Sequence, residues 1–378
     1  MTRLRLLAAC GLAFVLITTI AAQEKKDPVP PAKTEAPKVE PPKVEPPKAA
    51  PPKVDPKAEP PKVDPKADPK TAVAPPAGDN PLAWKFTKDV PFYQEMTTTT
   101  VQNIKVQGLD VGQNQTQTFY FKFDPKKQEG DKWVVQQTIE GVKMKIDIAG
   151  SPVQYDSTNE AAAGGTNTAL SEFFKALKGS QFIMTIAKDG AVEKVEGREE
   201  FIKKLIGANK QLEQLLNKIL SEEAIKQMAD PTFGMVPKDV KKVGESWTKT
   251  VKLTLGPLGT YENTYVFTYT KQTGDVAELD VKVALKYSPP APDQGGETLP
   301  FKIKAGKIEQ TPEGDKNNAG KIQFNTKSGR IDSSNIKVKM TGSLTLDIGG
   351  TTTEVQLTQE QDTSVKTSDK SFVPDKKQ

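Results

Sequence analysis

The sequence contains no histidine and a single cysteine, Cys10, which lies within an N-terminal apolar stretch. These absences exclude more chemistry than any motif supplies. Without histidine the chain lacks the commonest general base and the commonest metal ligand. With one cysteine it can form no internal disulfide, and removal of Cys10 with a leader would take away the thiol nucleophile too. Arginine is nearly missing as well: of 53 basic residues four are arginine, and only Arg198 and Arg330 lie beyond residue 22. Base and phosphate recognition favour arginine forks, so nucleic acid is not an expected partner.

What is present begins with an export signal. Arg3 and Arg5 form a positive n-region, Leu6 to Ile20 an apolar stretch, and Ala21 and Ala22 a small-residue site before Gln23. Residues 1–22 are therefore read as a cleaved signal peptide. Leu7-Ala8-Ala9-Cys10 has the residue types of a lipobox. Cutting there would strand Leu12 to Ile20 after the cut, which favours a signal peptide over a lipoprotein, and the short apolar run favours it over an uncleaved anchor. Export to an oxidising compartment without disulfides leaves burial alone to hold the fold together.

Residues 23–81 change character abruptly. Eighteen of the 30 prolines fall between Asp27 and Pro81, in a loose repeat of PPKVE, PPKAA and PPKVD units. Proline fixes φ and removes backbone donors, and there is little apolar content to bury. A disordered, polyproline-like linker is expected, reaching on the order of 150 Å if fully extended. Its Lys/Glu-Pro texture resembles the spacer of TonB-type energy-transducing proteins over this segment only. Those proteins carry a functional anchor histidine, absent here, and a much shorter terminal region.

From Leu82 the apolar period becomes two. Phe119, Phe121 and Phe123 alternate with Tyr120 and Lys122; Val251, Leu253 and Leu255 with Lys252 and Thr254. The same holds for Leu279 to Tyr287, for Ile336, Val338 and Met340, and for Leu344, Leu346 and Ile348. One greasy and one polar face is the pattern of an antiparallel sheet wet on one side. Turns are expected at Gly130-Asp131, Asp189-Gly190, Gly274-Asp275, Gly314-Asp315 and Gly349-Gly350. Helical stripes are confined to about 166–230. They are Leu170, Phe173, Phe174 and Leu177 behind Asn167 or Thr168; Phe201 to Ile206 before Gly207; Leu212 to Leu220; and a short helix from Ser221 stopped by Asp230-Pro231. A weak echo between TQTFYFKF with its following strand and NTYVFTYT with its own suggests two related meanders.

Four stretches stand out: QYDS at Gln154 to Ser157, GSQF and KDGAVEKVEG between Gly179 and Gly197, VPKDVKKVGESW ending at Trp247, and GRIDSS at Gly329 to Ser334. On these the chain resembles an uncharacterised family of secreted bacterial proteins of unknown function. The resemblance spans most of Phe92 to Lys366. It implies a shared fold and no known activity, so it assigns no functional residue.

Motifs for catalysis fail one by one. Ser246-Trp247-Thr248-Lys249 and Ser334-Asn335-Ile336-Lys337 fit S-x-x-K, but both lie in alternating strands and no K-T-G follows. The acidic loops Asp124, Glu129, Asp131 and Glu313-Gly314-Asp315 lack the register of a calcium loop. No catalytic, cofactor-binding or metal residue is assigned, and no cofactor.

The expected fold is α+β and mostly β. It is a large antiparallel sheet, curved and half-barrel-like or else a sandwich, with a central helical insert, preceded by the disordered proline-rich stalk. The expected divisions are the signal peptide 1–22, the linker 23–81, the β-rich domain 82–368 and a disordered tail 369–378. A dozen strands with one apolar face each, and few helices to cover them, leave room for a concave apolar pocket of the kind found in half-barrel lipoprotein carriers. The function expected is an exported, non-catalytic cell-envelope protein that binds a hydrophobic ligand or a protein partner, with lipid or another envelope component as candidate. The alternatives are a structural or adhesive surface module on the stalk, and a carboxylate-dependent hydrolase.

Overall fold

A computed structural model describes residues 80–159, 168–208, 210, 213–291, 299, 301–311 and 318–374. The segments expected to be a signal peptide and a stalk (all but residues 80 and 81), Asn167, Leu212 and the turn expected at Gly314-Asp315 lie outside the described residues.

The strands are β1 (Phe92–Val106), β2 (Leu109–Glu129), β3 (Lys132–Ile148), β4 (Ser151–Asp156), β5 (Gln181–Ile186), β6 (Val192–Glu196), β7 (Ser246–Thr254), β8 (Thr260–Thr273), β9 (Val276–Ser288), β10 (Lys302–Gln310), β11 (Ala319–Asn325), β12 (Arg330–Ile348) and β13 (Thr351–Ser368). The helices are α1 (Thr168–Leu177), α2 (Arg198–Ala208), α3 (Glu213–Ile219) and α4 (Glu222–Phe233), all in the central insert.

All 13 strands join one antiparallel sheet in the order β6-β5-β3-β2-β1-β13-β12-β10-β9-β8-β7. The curved single sheet, not the sandwich, is what forms. Its seam is the pairing of the first strand with the last, from Tyr93 opposite Ser368 to Val106 opposite Val355. Two long strands branch. β3 pairs β5 with its first half and β4 with its second, and β12 pairs β11 and then β10 in the same way. Bulges opposite Tyr120/Phe121, where Glu140 is the extra residue on β3, at Pro125/Lys127 on β2, and at Tyr269/Lys271 on β8, add the local twist that coils such a sheet. The two segments that echo each other in sequence become β2–β3 and β8–β9, on opposite sides of the seam.

Tight hairpins set the register. Gln107-Gly108, Ala149-Gly150 and Gly349-Gly350 each connect strands in two residues with both φ angles positive, the geometry that matches strand twist. Of these only Gly349-Gly350 was expected, since Gln and Ala are poor signals for a left-handed backbone.

The alternation predicted from sequence sorts inside from outside. Phe119, Phe121 and Phe123 on β2, Leu279, Val281 and Val283 on β9, and Val355, Leu357 and Val365 on β13 are buried. Lysines and carboxylates pair on the other face, as in Lys321–Asp280 at 2.7 Å and Lys337–Asp362 at 3.3 Å. An outward face of ion pairs is the reverse of the apolar outer band of a membrane barrel. Among the described residues no helix is long and apolar enough to cross a membrane.

The helices plug the concave side. α4 packs against both β6 and β7, the two ends of the strand order, so it bridges the open edges of the sheet. It does not stop at Asp230-Pro231 as its sequence suggested but runs to Phe233. Proline removes one helical donor, yet Phe233 is fully buried among Trp84, Phe86 and Phe123, and that burial outweighs one lost bond. The Asp189-Gly190 turn of the β5–β6 hairpin fits beneath this helix end. Gly190 has φ +80, and a Cβ there would sit well inside 3.0 Å of the Phe233 carbonyl oxygen.

Residues 80–86 form a strap that packs on both halves of the sheet, Trp84 against Phe324 and Phe86 against Phe92 and Trp133. Asn80 donates through Nδ2 to the Pro237 carbonyl at 2.9 Å, Trp84 through Nε1 to the Phe233 carbonyl at 2.8 Å, and Lys85 through its backbone N–H to the Gly329 carbonyl at 3.1 Å. At the other terminus, the first residues of the expected 369–378 tail make defined contacts. Ser371 bonds Glu140, Asp369 pairs with Arg330, and Val373 lies near Gly141 and Tyr120 on the outer face. Residues 375–378 lie outside the described residues.

Candidate functional site

The concave face carries two chemically different zones. The first is an apolar cavity between the sheet and the helical insert. Phe119 and Phe121 of β2, Ile139 of β3, and Phe182 and Met184 of β5 form one wall, and Leu177 of α1, Phe201 of α2, and Ile225, Met228 and Ala229 of α4 form the other. Its volume is about 60 Å3. The only polar side chain on its wall is Gln137, itself buried.

The period of two explains the wall. Phe119, Phe121 and Phe123 must share a face on an extended chain, and the register shift beside them leaves that face unbroken because its extra residue, Glu140, lies on β3. α4 presents Ile225, Met228 and Ala229 at helical spacing. One polar bond anchors this helix to the β7 edge: the Thr254 backbone N–H donates to Gln227 Oε1 at 2.8 Å.

The second zone was not singled out from sequence. Along the same face the apolar pattern of β1, β2 and β13 gives way to amides and hydroxyls. In register, Gln117 lies beside Thr98 and Thr363, Gln115 beside Thr100 and Gln361, and Gln113 beside Gln102 and Gln359. None of the nine is more than 8% exposed. Apolar residues flank the layer, Met144 and Ile146 on β3 and Ile336 on β12. Some of its hydrogen bonds close internally: Gln113 Nε2 to Gln115 Oε1 at 3.1 Å, Gln359 Nε2 to Gln361 Oε1 at 3.4 Å, and Thr98 with Thr363 at 3.4 Å. Four atoms have no partner: Nε2 of Gln102 and Gln117, and Oε1 of Gln113 and Gln359. The signal was present in sequence, because Gln113, Gln115 and Gln117 continue the period of Phe119, Phe121 and Phe123 without a break. A glutamine at an inward position reads as an outward one unless its register is known.

Among the described residues, ionisable groups inside are confined to tyrosine. Burial raises the hydroxyls of Tyr261 and Tyr287 well above the ordinary tyrosine range, so neither is an ionised nucleophile near neutral pH. Among the described residues no lysine, arginine or carboxylate is buried, and no group of His, Cys, Asp and Glu is placed to hold a metal ion.

The motifs considered in the sequence fall where alternation put them. Ser246 of the first S-x-x-K opens β7 and bonds Thr268 across the pair at 2.8 Å. Ser334 of the second is buried in β12, and Lys337 pairs with Asp362. Asp124 meets Lys126 at 2.5 Å, and Glu129 meets Lys127 at 2.5 Å. The two arginines are tied to the fold. Arg198 donates to the carbonyls of Leu220 at 2.6 Å and Asn217 at 3.3 Å at the C-terminal end of α3, and Arg330 stacks 5.2 Å above the Phe92 ring. Residues from Glu313 to Asp315 lie outside the described residues.

Residues 130–331 match a family of unknown function (DUF6263), more than half of the chain. The chain belongs to this family. The matched stretch runs from β3 into β12 and includes all four helices, whereas the glutamine layer on β1, β2 and β13 falls outside it. No curated protein matches.

Among solved structures, one of lipovitellin described under its lipid–protein interactions is similar at 9% identity and a TM-score of 0.39, over 78% of this chain and 26% of that one. This chain thus spans about a quarter of lipovitellin's length. An outer membrane channel from Pseudomonas putida F1 is similar at 6% identity and a TM-score of 0.22, over 80% of this chain and 100% of that one. OccK5 from Pseudomonas aeruginosa is similar at 6% identity and a TM-score of 0.21, over 74% and 98%. Likenesses at this level carry no argument about what the chain does.

Proposed function

We propose that this protein is an exported, non-catalytic component of the cell envelope that holds a hydrophobic ligand on the concave side of its sheet. The observation that carries the reading is the largely apolar cavity between Phe119, Phe121 and Met184 on the sheet and Met228 and Ala229 on α4. A single curved sheet has no second sheet to fill its concave side, so four short helices do that work, and they leave a gap. Drug-sized ligands occupy roughly 300–1,000 Å3, so the cavity takes one only when α4 or α1 moves off the sheet. A helix that bridges two strand edges can move in this way without breaking the sheet ladder. The surface chemistry agrees with an aqueous compartment, since the outer strand faces carry lysine–carboxylate pairs.

The test is extraction of the full mature chain, purified without detergent, into organic solvent, followed by mass spectrometry. A stoichiometric apolar molecule is the expected result. A protein that arrives empty, and takes up no fatty acid, alcohol or hydrocarbon in equilibrium dialysis, would refute the proposal.

A further inference from the structure

We infer that the buried glutamine–threonine layer on β1, β2 and β13 is the headgroup subsite for an uncharged amphiphile whose chain lies toward Phe119 and Phe121. This rests on the proposed apolar-ligand reading of the interior and names the class of ligand.

Gln102, Gln113, Gln117 and Gln359 are each at most 5% exposed, yet each leaves one amide atom without a partner. A buried donor or acceptor left unmade costs roughly 1–3 kcal/mol, and folds seldom tolerate several together. The four atoms do not satisfy one another. Gln102 stands directly opposite both Gln113 and Gln359, whose Oε1 atoms lack donors, and its own Nε2 still bonds neither. Closing that ladder would use up the amides; as they stand they present donors and acceptors to the interior.

The chemistry of the layer selects its occupant. It offers both donors and acceptors, and reversing any amide leaves both kinds present. It offers no ion: among the described residues, no charged side chain is buried anywhere in the domain. A carboxylate or phosphate here would lie unpaired in a low-dielectric interior, a costly arrangement. A hydroxyl or amide headgroup fits, because it both gives and accepts.

The layer also adjoins one wall of the apolar cavity along β2. Gln117 and Phe119 are alternate residues on one face of β2, about 7 Å apart along an extended chain, and Phe119 lines the cavity. A molecule with a hydroxylated head and a hydrocarbon chain matches the order polar layer, then phenylalanine wall.

The test uses the full mature chain, delipidated, with three labelled probes in equilibrium dialysis at pH 8: monooleoylglycerol, oleate and octadecane. Monooleoylglycerol should bind at least tenfold tighter than oleate. Gln102→Leu with Gln359→Leu should weaken monooleoylglycerol roughly tenfold or more, as expected for lost buried hydrogen bonds, without weakening octadecane. The unliganded double variant should melt within a few degrees of wild type, because it removes two unsatisfied atoms at the cost of the weak Gln359–Gln361 bond. Should that variant fail to fold, Gln117→Met replaces it, and the wild-type ranking of probes stands as a test by itself.

Equal binding of all three probes, unaffected by the variants, would overturn the subsite and leave the apolar-ligand reading intact; internal water would then be the partner of the amides. A variant that melts markedly lower and loses every probe alike would make the layer a structural network and overturn the subsite. Binding of no probe by wild type would overturn both readings.

Discussion

Gly190→Ala should destabilise this protein by about 2–5 kcal/mol, and the structure separates the two parts of that loss. At φ +80 the glycine occupies backbone space where an L-residue pays about 1–2 kcal/mol. The added Cβ would then meet the carbonyl of Phe233 well inside 3.0 Å. That neighbour is backbone, so it cannot rotate away; the β5–β6 turn and the end of α4 must separate. Separation loosens Phe233, which packs against Trp84 at 5.0 Å and Phe123 at 6.0 Å. Full loss of such a ring costs about 3–5 kcal/mol, and partial loss supplies the remainder. Gly274→Ala is the control, because Gly274 has φ +56 and open space around its missing Cβ. It should cost only the conformational part, about 1–2 kcal/mol. Guanidinium unfolding of the mature chain, followed by tryptophan fluorescence, measures both. Trp84 is a local reporter, since its indole N–H donates to the same Phe233 carbonyl. If the two variants lose equal stability, the packing of the hairpin beneath α4 is not what requires glycine at position 190.

Three further outcomes are expected. Ala149→Asn should stabilise the protein by about 1 kcal/mol in thermal unfolding, because Ala149 sits at φ +49 in a hairpin turn that Asn enters more readily; an unchanged or lower Tm counts against the turn assignment. Ala229→Leu should fill the cavity and abolish uptake of octadecane in dialysis while costing no more than about 1–3 kcal/mol; retained uptake places the ligand elsewhere. Burial raises the Asp156 pKa, but bonds from the Thr158 hydroxyl and N–H and the Lys143 ammonium outweigh it, so the carboxyl stays below its ordinary 3.8. A lowered folded pKa adds stability above the unfolded value and loses it as pH falls through the folded one. Asp156→Asn should therefore reduce the acid sensitivity of amide exchange in β4 below about pH 4, and an unchanged pH profile would refute that linkage.

Much of the architecture was legible in residue order. Alternation at Phe119–Phe123, Leu279–Tyr287 and Leu344–Ile348 named strands and their inward faces, because a period of two has one structural meaning on an extended chain. The helical stripes ending at Gly179 and Gly207 were equally plain. What failed was local. Asp230-Pro231 reads as a stop, but the burial of Phe233 carried α4 onward. Gln107-Gly108 and Ala149-Gly150 went unnoticed because their left-handed backbone is imposed by the strands they join. The glutamine layer escaped because a polar residue in a strand reads as a solvent-facing one.

By itself the sequence determined an α+β chain that is mostly strand, with one greasy face per strand, and it withheld histidine, disulfides and recognisable catalytic motifs. Those properties belong to residue type and spacing, and no folding is needed to read them. Only the tertiary structure decided that the first and last strands form the central seam, that α4 spans the two sheet edges, and that Gln102, Gln113 and Gln359 share one buried row. Each of these depends on strand register across a long separation in sequence. A shift of one residue there would turn the whole layer outward to water.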